Sequence, residues 1–357
     1  MFKKILVPLD GSEYAEKIGG FVAGLARPLG AEIVLLAVVD PAEVRLPEAM
    51  PDPGHSVPGH APYDRPGYEH PAPGITSRGA KPDVSPGFGT QVVDRAVEFA
   101  RNYLTREVER LDASGVPATS HVAVGQPADE IVRYARDAHV DMIAMATHRE
   151  SALARGVLGS VTDRVLHSSS VPVLAVHPKN AGAFAGNAGA PNIVIVPLDG
   201  SPLSEAAVPV ALDIADACAS DVVFIRAVRF PYYGVSGPGI EYYAGDYGIA
   251  EQRREALEYL SRFVQMAESK GLKASAHGAI GNAAFRIIEE AESLQGAMVV
   301  MTTHGSGGFK RWVIGSVTDK VVRSAGLPVL VLPPKVESPA FDRPAASVPA
   351  TVGGKGR

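Results

Sequence analysis

Cysteine, tryptophan and long apolar runs are scarce in this chain, and each shortage excludes something. The 357 residues hold one cysteine, Cys218, and one tryptophan, Trp312. A single thiol closes no internal disulfide, which excludes a disulfide-stapled scaffold and fits a reducing compartment. No apolar run approaches the ~20 residues that cross a bilayer as a helix. The opening MFKKILVPLDGS reaches Asp10 before a long apolar region forms, so it reads as a first strand and not as a secretory signal. The charge surplus is small, a formal −5, so no global basic field recruits nucleic acid. The expectation is a cytoplasmic protein with neither membrane nor nucleic acid as a partner.

What the chain does have is apolar bulk and repetition. Its composition is 46% hydrophobic, enough to fill a real core at a length suited to about two or three domains. The stretch VPLDGS occurs twice, at residues 7–12 and 196–201. MIAMATHRESALARGVLGSVTDRVLHSSSVPVLAV, residues 142–176, matches MVVMTTHGSGGFKRWVIGSVTDKVVRSAGLPVLVL, residues 298–332. VGQPADEIVRYA from Val124 matches IGNAAFRIIEEA from Ile280. The period is far too long for a solenoid, so each copy is a domain. The expected division is residues 1–178, a linker 179–191, residues 192–333, and a disordered tail 334–357.

Within each copy, short apolar runs alternate with helical spacing. In copy one these are KILVPL, AEIVLLAVV, PATSHVAVG, VDMIAMAT and VPVLAVH. One helix is expected after the first run, ending near Gly30 with its regular part stopping at Pro28, and a long one from Gln91 to a closing Gly115. Near-continuous apolar strands indicate an α/β fold, a parallel sheet with helices on both faces. Such sheets bind ligands beyond the C-terminal ends of their strands, where VPLDG, THR and THG fall. Two segments break the symmetry. Residues 41–90, rich in Pro, Gly and His, read as a long irregular insertion. The matching part of copy two carries Tyr232, Tyr233, Tyr242, Tyr243 and Tyr247, candidates to cover a ligand or pack on the other domain.

The richest chemistry lies in THGSGGFKRWVIGSVTDK, from Thr303. Glycines let backbone approach a ligand, and a helix start offers N–H groups to an anion. The plainer reading is that Gly305 makes a turn and Ser316 caps a helix. Sharper motifs do not fit: Gly315 is followed by Ser316 where a Walker loop needs lysine, and GSGGFK lies too late for a dinucleotide fingerprint. Asp10 and Asp199 end the first strand of each copy. They suit a ribose, a base edge or a magnesium-bound water, or a helix start shared with Ser12 and Ser201. His148 and His304 are structural turn residues on this reading, since no Ser–His–Asp spacing accompanies them. His55, His60 and His70 lack zinc-ligand spacing, and Cys218 reads as a small buried hydrophobe. Lys310 and Arg311 read as a solvated basic pair, Trp312 as packing.

With these motifs in view, each copy resembles a universal stress protein domain, and the whole resembles a tandem member of that family. The resemblance rests on VPLDGS, then THG, nine residues, GS, and a closing PVLVL. It implies an open five-stranded parallel sheet in each copy, of order 3-2-1-4-5. It implies ATP, with Mg2+ as its companion, held by a G-x2-G-x9-G-[ST] frame. In copy two the frame falls on Thr302, Gly305, Gly315 and Ser316, so threonine stands at the first glycine. The resemblance also places Asp199 beside ribose and phosphates, Ala227 and Val228 beside adenine, and Ile280 and Gly281 on the ribose side. In copy one the frame falls on Ala146, Arg149, Gly159 and Ser160. Arg149 replaces a glycine, which implies a weakened or altered site that keeps Asp10, Val38 and Gly125. The resemblance further implies pairing of the last strands, here as an intramolecular pseudo-dimer, with a homodimer left open. Two readings follow: a stress or signalling protein for which ATP is a conformational ligand, hydrolysed slowly at most, or a nucleotide-independent protein that binds a protein partner or another small molecule.

Overall fold

The computed structural model of the chain describes residues 2–43, 86–147, 158–177, 189–228, 245–303 and 314–334. Most of the insertion, His148, Arg149, residues 178–188, Tyr232, Tyr233, Tyr242, Tyr243, His304, Gly305, Lys310, Arg311, Trp312 and the tail lie outside the described residues.

Copy one runs β1 (Lys4–Pro8), α1 (Glu13–Lys17), α2 (Gly19–Leu29), β2 (Glu32–Val39), α3 (Pro86–Ala113), β3 (Ala118–Val124), α4 (Pro127–Asp137), β4 (Met142–Ala146), α5 (Ser160–Ser168) and β5 (Val173–Val176). Copy two repeats the order as β6 (Ile193–Pro197), α6 (Pro202–Glu205), α7 (Ala207–Cys218), β7 (Asp221–Val228), α8 (Gly245–Ser269), β8 (Ala274–Ile280), α9 (Ala283–Ser293), β9 (Ala297–Thr302), α10 (Ser316–Ser324) and β10 (Val329–Leu332). The central strands are apolar on both faces because both faces are covered, whereas the edge strands β3 and β8 are partly polar and exposed. Ile5 and Val7 point into one core with α2, α3, α7 and α8, while Leu6 points into the other with α4, α5, α9 and α10.

Within each copy the strands are parallel, in the order 3-2-1-4-5. The two sheets fuse at their last strands into one sheet of ten, β3-β2-β1-β4-β5-β10-β9-β6-β7-β8. The seam is antiparallel, with Val329 opposite Ala175, Leu330 opposite Leu174 and Val331 opposite Val173. It gives the otherwise sticky edge strands a partner within the chain. Arg323 stitches the seam: its Nη2 donates to Asp163 of copy one at 2.6 Å and its Nε to Asp319 of its own helix at 2.7 Å.

On one face, α2 and α7 meet across the seam. The chain entering copy two lies on α2. Gly189 has φ +91°, and a Cβ there would stand 2.5 Å from the carbonyl oxygen of Gly20 and 2.9 Å from the Cα of Gly24. Gly20 and Gly24, four apart on one helix face, form the shelf on which it rests.

Three local expectations need correction. The first helix is two: Ser12 caps α1, and Ile18 separates it from α2. Pro28 does not stop α2, which runs to Leu29 and closes on Gly30 in the left-handed region, φ +60°. A proline so close to the C-terminus removes few helical bonds. The long helix α3 begins at Pro86, earlier than Gln91, because proline suits a first turn.

Candidate functional site

Each first strand ends in a loop locked by its own aspartate. Asp10 Oδ1 accepts from the Ser12 amide at 3.0 Å and the Ser12 hydroxyl at 2.6 Å. Asp199 repeats this with Ser201 at 2.9 and 2.6 Å. The serines then cap the following helices, Ser12 accepting from the Ala15 amide and Ser201 from the Ser204 amide. The aspartate thus acts through serine, and the serine does the capping. Gly11 and Gly200 sit between them at φ +75° and +90°, a turn that other residues adopt with strain.

The later glycine-serine pair behaves differently. Gly159 and Gly315 are the N-caps of α5 and α10, and neither supplies a side-chain capping bond. Ser160 and Ser316 are the first helical residues. The capping role expected of Ser316 is therefore overturned, because the chain becomes helical one residue earlier. The first-turn N–H groups remain as donors, at the positive end of the helix dipole. Gly159 has φ −60° and ψ 140°, open to any residue. A Cβ there would meet nothing closer than the Thr147 carbonyl oxygen at 3.5 Å. The fold therefore does not require glycine at this position; its bare backbone leaves room on the outside. Beneath it, Thr162 donates to the Ala146 carbonyl at 2.9 Å, and Thr318 donates to that of Thr302 at 2.9 Å. These threonines tie each helix start to the end of its neighbouring strand.

Between aspartate loop and helix start lies a cavity in each copy. That of copy one is about 140 Å³ and is bounded by Asp10, Val38, Met145, Gly159, Ser160 and Ile131. That of copy two is about 110 Å³ and is bounded by Asp199, Ala227, Met301, Thr302, Ile287 and Val317. Both combine an apolar interior with a few polar groups at the rim, the usual composition of a small-molecule site. Val228 and Ile280 end their strands beside the second cavity without lining it. Gly125 and Gly281 follow β3 and β8 at φ +150° and +133°, and their amides donate to the carbonyls of Val39 and Val228 at 3.0 and 2.9 Å. Gly305 and Arg149 lie outside the described residues.

Sequence reasoning missed the floor of each cavity: Met145 and Ile131 in one, Met301 and Ile287 in the other. Their types signal only burial. It also missed Asp40 and Glu43 at the rim of copy one, where the insertion begins and the pattern dissolves. Among the described residues, no group of three His, Cys, Asp or Glu side chains converges as a metal site. Cys218 is buried in α7, and burial pushes its thiol up to about 12, so it is inert packing and lies far from this chemistry.

A duplicated parallel sheet of this order, with helices on both faces and a cavity beside the first strand's locked loop in each copy, defines the class as a tandem, doubly wound α/β fold. The chain matches the universal stress protein family over residues 1–55, 77–177 and 191–333, and it belongs to that family. A universal stress protein of Mycobacterium tuberculosis is 27% identical over 244 residues, 68% of this chain and 76% of the relative. One from Methanocaldococcus jannaschii is 30% identical over 181 residues, half of this chain (51%) and nearly all of the relative (98%). Among solved structures, a universal stress protein from Archaeoglobus fulgidus covers 93% of this chain and 98% of its own, with a TM-score of 0.60 at 20% identity. That likeness concerns the fold. No helix among the described residues is long and apolar enough to cross a membrane.

Proposed function

We propose that copy two binds ATP as a conformational ligand in stress or signalling, with copy one carrying an altered site. The observation that carries this reading is the uncapped start of α10 at Gly315, beside a cavity whose other wall is the Asp199 loop. An adenine fits the apolar end between Ala227, Ile287 and Met301. The ribose falls toward Asp199, and the phosphates fall on the N–H groups of Ser316 and Val317 and on the Ser316 hydroxyl. Mg2+ accompanies the phosphates. Asp199 Oδ1 is already committed to Ser201, which fixes the carboxylate in place for a hydroxyl donor. Nothing in this arrangement demands turnover; binding alone draws the β6–α6 loop and α10 together.

The test is isothermal titration of the full chain with Mg-ATP. Saturable binding is expected, weakened at least tenfold by Gly315→Val, whose side chain would occupy the approach to the helix start. Circular dichroism would verify that the variant is folded. A wild-type chain that shows no saturable ATP binding would defeat the proposal and leave the nucleotide-independent reading.

A further inference from the structure

The two copies carry opposite charge at one equivalent position, next in sequence to Ile131 and Ile287, which line the two cavities, although neither charged residue lines a cavity itself. Glu130 and Arg286 occupy equivalent positions in α4 and α9, each over the glycine that follows the third strand. A Cβ on Gly125 would meet Glu130 Oε1 at 3.0 Å, and one on Gly281 would meet Arg286 Nε at 3.2 Å. Each inner residue pairs with the residue one turn further out. Glu130 is paired with Arg133, whereas Arg286 is paired with Glu289 at 2.6 Å. The ion pair is thus reversed end for end, and the inner member is the better covered one. The Glu130 side chain is 16% exposed against 55% for Arg133, and Arg286 is 37% exposed against 56% for Glu289. Arg286 is also aimed inward, its Nε donating to the Ile280 carbonyl at the end of β8 at 2.8 Å.

The rim of copy one repeats the sign. Asp10, Asp40 and Glu43 all border its cavity, and its described lining includes no lysine or arginine. Asp40 is held there by the Gln126 amide at 3.0 Å and the Ala42 N–H at 2.8 Å. In copy two, Asp199 is the single acidic residue among the described lining. A polyphosphate brought to copy one would meet several carboxylates at short range, and these do not converge on a common metal position that could neutralise them. The apolar part of that cavity, Leu36, Val38, Ile131 and Met145, is no smaller than in copy two.

Resting on the nucleotide reading above, we infer that the two cavities sort ligands by charge: copy two takes the polyanionic nucleotide, and copy one takes the uncharged nucleoside. Copy one would then report the dephosphorylated form of the ligand bound by copy two. Discrimination of this kind comes from repulsion as much as from attraction.

The experiment is calorimetry on the full chain, first saturated with Mg-ATP and then titrated with adenosine. One ATP per chain is expected, followed by one adenosine, whose binding is lost in Val38→Trp. The double variant Asp40→Asn/Glu43→Gln, at the rim of copy one, should let copy one accept ATP with at least a tenfold gain. Two equal ATP sites per chain, no adenosine uptake by the ATP-saturated chain, or no response to the double variant would each overturn the inference. Failure of the wild-type chain to bind ATP at all is a different result, and it strikes the nucleotide reading beneath.

Discussion

Replacing Gly189 with alanine tests how the two copies are joined. Two separable costs arise. The residue sits at φ +91°, and a left-handed backbone with a Cβ costs about 1–2 kcal/mol. The new Cβ would also lie 2.5 Å from the Gly20 carbonyl oxygen and 2.9 Å from the Gly24 Cα. Both neighbours are helix backbone, so neither swings aside as a side chain would. Forcing atoms into a packed region costs about 1–3 kcal/mol, giving a total of about 2–5 kcal/mol. Gly271→Ala isolates the first term, because Gly271 has φ +80° and a Cβ added to it would meet nothing within 4 Å. Urea unfolding followed by far-ultraviolet circular dichroism would compare the two variants, with equal slopes as a check that the same surface unfolds. Gly189→Ala should lose clearly more than Gly271→Ala. Equal losses would refute the packing of the linker on α2.

Two further predictions concern capping and pH. Ser201→Ala should cost ~1–2 kcal/mol, because the hydroxyl caps α6 and accepts from Ser204, whereas Ser316→Ala should stay within ~0.5 kcal/mol while weakening ATP binding several-fold; chemical denaturation and calorimetry read the two effects apart. Tyr103 and Tyr259 are raised, first by burial and then by donating to Glu16 and Glu205. A phenol whose folded pKa is raised stabilises the fold below its unfolded value of about 10 and loses that contribution as pH climbs through and above it. The urea midpoint should therefore fall between about pH 10 and 11.5, and the double variant Tyr103→Phe/Tyr259→Phe should fall less steeply over that window.

Much of the architecture was legible because buried parallel strands leave an unmistakable record. KILVP and IVIVP are apolar on both sides and can only be covered on both sides, and the duplication doubled the signal. The aspartate loops were legible too, since VPLDGS packs its turn, its cap and its candidate ligand group into six adjacent residues. Other features depend on distance in space. Arg323 looks like any basic residue in the last turn of a helix until the seam brings Asp163 to it. Glu130 and Arg286 look like ordinary members of helical ion pairs, and their significance comes from the glycine lying beneath each. Which of Gly315 and Ser316 begins α10 was not legible: a glycine before a serine leaves the start of the helix undecided by one residue, and the structure sets aside the capping alternative for Ser316.

The antiparallel seam has a consequence for how such a chain can diverge. Strands of the two copies run in opposite directions, so their C-terminal ends, and with them the two cavities, open at opposite margins of the sheet. In an assembly of identical subunits, any change at one mouth is copied at the other, and a reversal of charge would appear twice. Covalent fusion removes that tie. Each mouth can mutate alone while the shared seam keeps the halves in register, which is the freedom that an exchange such as Glu130 for Arg286 needs.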